Sequence, residues 1–384
     1  MNLNISREEA LCLKGYAIFC IVLHNLLHLV APLVKENEFY YNYNYRSYWM
    51  WNHIKNLHPN LLADILSFFG WYGVPIFIFL SGYGLTKKYD GSKLYSQESS
   101  WLHFFVYNFK KLWILMVPAY LIYLVLSVLL EDKDFSIYAI ACQLTMTINF
   151  LCSPKYIDPG VYWYFGLTLQ LYLVYRFFLF KKEGRVFWLM LSALALVSLF
   201  LSLILLPDER EKVQPLYEYY SHNCIRWMLP FLLGVCLGRY AKPKKENWIL
   251  TALMTVVSLL FLFLFSFNQK LWLLTPLFAI GFFIGIVKLF MKIRPLKSLG
   301  IWLGSLSAYL FATHPLLRPF FLHLVVSPKQ LYLNGESWLW ITTYLLSAVV
   351  LACVYCWISR RYLVPLCERI INRCIKSVSF KKNN

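Results

Sequence analysis

The sequence predicts an all-α integral membrane protein: ten transmembrane helices in one bundle, with the N- and C-termini both cytoplasmic. Three observations carry that expectation. Hydrophobic residues make up 59% of the 384 and charged residues only 15%, with a mean hydropathy of +0.54, whereas soluble domains hold about 25% charged residues. The apolar residues come in runs of about 20, enough to cross a bilayer core of about 30 Å at about 1.5 Å per helical residue. The basic residues alternate between dense and sparse loops, as the positive-inside rule requires. A β-barrel would show short alternating segments instead.

Taken in order, the apolar runs lie at 11–34, 61–86, 103–130, 161–180, 186–206, 223–239, 247–267, 271–291, 299–324 and 338–359. A further stretch at 135–151 is short and is followed by Pro154 and an Asp158-Pro159-Gly160 turn signal, so it reads as a re-entrant or interfacial piece. Counting spans from a cytoplasmic N-terminus puts 26 of the 37 Lys and Arg on the inner side. A full crossing at 135–151 would invert every later loop and move most of these charges outside. No repeat or low-complexity linker divides the chain, so residues 1–384 read as a single domain with a short basic tail from about 360.

The net charge of +18 is therefore a topology signal. No stretch pairs Lys and Arg with aromatics as a nucleic-acid platform would, and no nucleic-acid partner is expected. The first outer loop, 35–60, is dense in Tyr, Asn and Trp. Such residues anchor at the lipid headgroups or stack on a sugar-like ligand. The ten cysteines, several of them inside apolar runs, suggest neither disulfides nor a metal site, and Cys353 and Cys356 read as packing despite their CxxC spacing. No cleavable signal peptide is expected, because the N-terminus opens with acidic residues and its apolar run reaches a spanning length.

Ionisable groups inside spans are costly unless paired or facing a cavity, so each is a functional candidate. Ser6 and Glu9 form a capping-box pattern at the start of the first span. Lys14 follows near the inner boundary, and His24 lies ten residues further, about 15 Å deeper at helical rise. Neutral imidazole suits general-base work; equally, His24 could hydrogen-bond a backbone carbonyl and simply pack. His28 lies one turn beyond on the same face. The second span contains Pro75, Ser81, Gly82, Tyr83 and Gly84; the fourth opens at Tyr162-Trp163-Tyr164-Phe165 and carries Gln170; the ninth carries His314-Pro315.

Lys14-Gly15 before an apolar helix to a histidine, Phe77-x-Phe79-Leu80-Ser81-Gly82-Tyr83, Trp163-Tyr164-Phe165 with Gln170-x-Tyr172, and Ser307-x-Tyr309-Leu310 with His314-Pro315 together resemble the acyltransferase 3 family of ten-span bacterial membrane acyltransferases. The resemblance implies transfer of an acyl group, usually acetyl, from cytoplasmic acyl-CoA to a hydroxyl of a cell-surface or exported saccharide, in the bacterial cytoplasmic membrane. Acyl-CoA would be a substrate, with no permanently bound cofactor and no metal; the partners are membrane lipid and a saccharide or lipid-linked glycan. On this basis His24 is the expected base, Lys14 its partner toward the donor, and His28 the second candidate. Ser81 or Tyr83 would stabilise the oxyanion. Lys87, Lys88, Lys110 and Lys111 would attract the CoA phosphates, and Trp163, Gln170, His314 and Arg318 would orient the acceptor. The family pattern places ten residues between its basic residue and its histidine, whereas nine separate Lys14 from His24 and Asn25 stands at the family position. Ten steps of a regular helix turn His24 about 80° away from Lys14, a difference that a π-bulge or a wide cavity would absorb. The competing class is a polysaccharide exporter or flippase, but no internal repeat supports it.

Overall fold

A computed structural model describes residues 2–28, 36–90, 101–206, 215–321, 336–367 and 369. Among them every regular element is helical. Helix α1 (Arg7–Leu27) is followed by a π-helical turn (Asn44–Met50), α2 (Trp51–Lys55) and α3 (Leu61–Phe69); a 3-10 turn (Gly70–Tyr72) joins α3 to α4 (Gly73–Tyr89). Then come α5 (Trp101–Glu131), α6 (Ile137–Leu144), α7 (Ile148–Leu151), α8 (Trp163–Val174), α9 (Gly184–Ile204), α10 (Pro215–Ser221) and α11 (Met228–Tyr240). The chain continues with α12 (Trp248–Ser266), α13 (Gln269–Trp272), α14 (Thr275–Phe290), α15 (Arg294–Thr313), α16 (Leu317–Phe320) and α17 (Glu336–Ile358).

All ten expected spans contain helix, yet among the described residues six stretches are long and apolar enough to cross a membrane: Arg7–Leu27, Leu61–Tyr89, Trp101–Glu131, Gly184–Ile204, Trp248–Ser266 and Trp338–Cys367. The other four fall short for identifiable reasons. Helices α8, α11 and α14 have 12, 13 and 16 residues, and α15 begins with Arg294-Pro295-Leu296-Lys297, which dilutes its apolar content. The 135–151 stretch breaks into α6 and α7, eight and four residues long, neither able to cross. Residues 29–34 of the first expected span, 322–324 of the ninth, Lys35, Lys93 and the tail beyond 369 lie outside the described residues.

Close helix crossings without side-chain padding hold the bundle together. A Cβ on Gly304 of α15 would lie 1.9 Å from the Leu11 carbonyl of α1, and one on Gly15 would lie 2.2 Å from the Gly300 carbonyl. The α4–α11 crossing is built alike: a Cβ on Gly82 would lie 2.3 Å from the Phe231 carbonyl, and one on Gly234 would lie 2.1 Å from the Phe79 carbonyl. Apolar attraction between helices is weak in lipid, so small residues that permit backbone contact supply the packing. The capping box at Ser6 is present: Ser6 Oγ accepts from the Glu9 amide and Glu9 accepts from the Ser6 amide at 2.7 Å. Buried Lys288 of α14 then ties Glu9 (2.8 Å) to Glu246 (3.0 Å) at this basic end of the bundle.

At the opposite end the loop after α1 folds inward. Fully buried Arg46 pairs with buried Glu36, donates to the Ser266 carbonyl at 2.7 Å, and lies against the rings of Tyr41, Phe68 and Trp272. Charge burial of this kind is tolerated only with such pairing, and here it pins residues 36–50 onto α3, α12 and α13.

Candidate functional site

His24 lies in the last turn of α1 and is 3% exposed. Its Nδ1 is 2.6 Å from the Ser67 carbonyl of α3. A carbonyl only accepts, so Nδ1 carries the proton and Nε2 keeps its lone pair. Gly70 makes this approach possible, because a Cβ there would sit 2.6 Å from the His24 Cβ.

Nε2 lies 3.9 Å from Oε2 of Glu38. That is too far for a hydrogen bond and wide enough for one hydroxyl to touch both. The Glu38 side chain is only 13% exposed, and its carboxylate takes a hydrogen bond from the Trp163 side chain. Burial pushes Glu38 up to about 7 despite the opposing effect of that bond. The His28 ring lies 3.9 Å from that of His24, tilted by 52°.

An aromatic wall surrounds Glu38. Phe39 stacks on His222 with ring centres 3.9 Å apart and meets Trp163 edge-on, while Trp163 packs against Trp227. Burial lowers His222 to about 4, more than its bond to the Glu218 carbonyl raises it, so its ring is neutral at physiological pH. Asn149 holds this wall by donating to the carbonyls of Trp163 and His222 at 2.8 and 2.7 Å.

The structure thus brings His24, His28 and Trp163 together and adds Glu38, Ser67 and His222, which the sequence did not single out. The only signal for Glu38 is that it and Glu36 are the acidic residues of an otherwise neutral or basic aromatic loop. Other expected residues stand elsewhere. The Tyr83 hydroxyl accepts from the Ile5 amide and donates to the Ile5 carbonyl, so it anchors the N-terminal segment. Ser81 donates to the Phe77 carbonyl of its own helix and is joined to the Tyr164 hydroxyl. Both ends of the Gln170 amide are committed, to Asn223 and to the Cys224 amide, which ties it to the loop bearing His222. His314 donates from Nδ1 to the Leu310 carbonyl, its own carbonyl accepts from Tyr344, and its Nε2 has no partner among the described residues. Arg318 is half-buried in α16.

At the basic end, half-buried Lys14 has no ion pair among the described residues, and its charged neighbour is Lys111. Lys87 reaches Asn4 at 3.3 Å, and Lys88 lies over the rings of Tyr89 and Tyr107; Lys110 is half-buried and Lys111 exposed. Helix α1 is regular α-helix throughout and contains no π-bulge, so the 80° offset between Lys14 and His24 is retained. Asn25, at the family position for the base, donates to the Ile21 carbonyl of its own helix.

The arrangement is a buried imidazole with a fixed tautomer, a carboxylate facing its open nitrogen, and a group of lysines toward the start of the same helix. Such a set suits proton removal from a hydroxyl during acyl transfer. No curated protein and no solved structure matches the chain. A family model described as an acyltransferase domain matches residues 11–358, nearly the whole length. This multi-pass membrane protein therefore belongs to the acyltransferase 3 family.

Proposed function

We propose that the protein transfers an acyl group, acetyl in our reading, from acyl-CoA on the cytoplasmic side to a hydroxyl of a cell-surface or exported saccharide, in the bacterial cytoplasmic membrane. The observation that carries this is the Ser67–His24–Glu38 alignment: a proton held on Nδ1 at 2.6 Å, and a lone pair on Nε2 facing a carboxylate at 3.9 Å. The acceptor hydroxyl enters between Nε2 and Glu38 and gives its proton to Nε2. Its oxygen attacks the thioester carbonyl, and the tetrahedral intermediate expels the CoA thiolate, which takes the proton back from His24. Glu38 opposes the transient imidazolium charge. Lys14, Lys87, Lys88, Lys110 and Lys111 supply cations for the donor phosphates, and the wall of Trp163, Phe39 and His222 offers faces on which a sugar ring stacks.

His24→Ala should insert and fold but lose acyl transfer by about 10²–10⁴-fold, the usual worth of a positioned base. Lys14→Ala should chiefly raise KM for acyl-CoA. Surface-glycan acylation must be measured beside total glycan export. Loss of the exported glycan itself in the His24 variant would replace transfer with transport, and full acylation in that variant would overturn the assignment of the base.

A further inference from the structure

His53 of α2, His58 in the following turn and Asp64 in the first turn of α3 form a second cluster, distinct from the acyl-transfer residues. Nδ1 of His53 lies 2.7 Å from Oδ2 of Asp64, and Nδ1 of His58 lies 3.4 Å from the same oxygen. The two imidazoles stack with centres 4.0 Å apart and planes 11° apart. Asp64 is fully buried, and its Oδ1 has no partner among the described residues. The histidines are reachable, with side chains 15% and 26% exposed.

We propose that these three residues bind a zinc-type divalent metal ion. All three donor atoms lie within 4.8 Å of one another. A tetrahedral zinc with bonds of about 2.0–2.2 Å separates its ligands by about 3.4 Å; His58 and Asp64 stand at 3.4 Å, and His53 and Asp64 are closer, at 2.7 Å. Two imidazole nitrogens and one carboxylate suit zinc and its neighbours in the first transition row and disfavour the oxygen-seeking calcium and magnesium. Three protein ligands leave a fourth position open. The cation would also compensate the buried charge of Asp64, which a single close histidine contact leaves half satisfied. Ligation requires both histidines to present Nδ1 as a lone pair with the proton on Nε2.

The position gives the ion a consequence. Asp64 is three residues before Ser67, whose carbonyl fixes the tautomer of His24. Metal clamping α2 to the start of α3 holds that carbonyl in place, so the ion acts on transfer through positioning.

The test uses the full chain in detergent, carrying no histidine tag, stripped with a chelator and then titrated with Zn²⁺ or Co²⁺. The expected result is one ion per chain by elemental analysis, the visible absorption of four-coordinate cobalt, and a rise in thermal midpoint with Zn²⁺. His58→Gln, at the most exposed of the three positions, and His53→Gln should each lose the cobalt band and the thermal shift, while His103→Gln, exposed on α5, should keep both. Asp64→Asn serves as a further variant where it folds. A cobalt band that persists in His58→Gln, or wild-type protein with no stoichiometric ion, would overturn the site in favour of a plain hydrogen-bonded triad. Because these readouts need no substrate, their failure is separable from failure of the acyltransferase reading.

Discussion

Glu38 titrates near 7 because its burial outweighs the bond from Trp163, and His24 offers its lone pair to it 3.9 Å away. In the proposed mechanism ionised Glu38 stabilises the imidazolium that forms during transfer and protonated Glu38 does not. The rate should therefore rise with pH through about 7 and level off above it. Glu38→Gln should flatten that limb and lower kcat by about 10-fold or more, as expected for removal of a charged partner, with KM for acyl-CoA little changed. A pH profile of Glu38→Gln that still bends near 7 would assign the titration to another group. The same raised value has a stability consequence of opposite sign. The folded chain binds this proton more tightly than the unfolded chain, whose carboxyl titrates near 4.5; Glu38 thus favours the fold below that value and loses the contribution as pH rises through about 7. At this scale His24 was legible in the sequence, because an ionisable group far inside an apolar run stands out. Glu38 was not, since its role arises from a contact between a loop and a helix that no spacing encodes.

Helices meet in this bundle where glycine lets backbones touch, and the loop end is locked by one charge pair. Gly304→Ala should be destabilising by about 1–3 kcal/mol, the usual cost of overpacking, because the added methyl meets the Leu11 backbone at 1.9 Å. Gly84→Ala on α4 meets nothing within 4 Å and should leave the thermal midpoint unchanged or slightly raised. Equal midpoints for the two variants in detergent thermal scans would mean that the α1–α15 crossing is not tight. The second element-scale device is Arg46. Arg46→Ala leaves Glu36 buried without its partner, a loss that costs about 3–5 kcal/mol in such settings. It should release the 36–50 segment and with it Glu38, so transfer should fall while helical content is kept; activity equal to wild type would show that Glu38 needs no such anchor. Apolar run length located the long helices, and the capping box at Ser6 and Glu9 was readable from residue types alone. It missed the inward fold of the aromatic loop, because its tyrosines and tryptophans are as suited to a membrane interface as to the buried cage around Arg46.

For the whole molecule, charge placement and helix length bear on different questions. All ten apolar runs contain helix, but among the described residues six stretches meet the length and composition of a membrane crossing, and four short or polar-headed helices complete the bundle between them. Length alone therefore does not fix the number of crossings, whereas the loop charges make a definite statement about sidedness. The end holding Lys87, Lys88, Lys288 and the 241–247 loop should face the cytoplasm, and the end holding Arg46 and the aromatic loop should face outward, since inner loops retain Lys and Arg. Both ends carry exposed positions suited to a direct test: Asn44 in the aromatic loop and Lys245 between α11 and α12. With the native cysteines replaced, Asn44→Cys should react in intact cells with a membrane-impermeant maleimide, and Lys245→Cys should react only after the membrane is opened. The opposite pattern would place the lysines of the proposed donor site outside, away from cytoplasmic acyl-CoA. Labelling of both from outside would require an even number of crossings between them, and with it a reassignment of which of α8 and α11 spans.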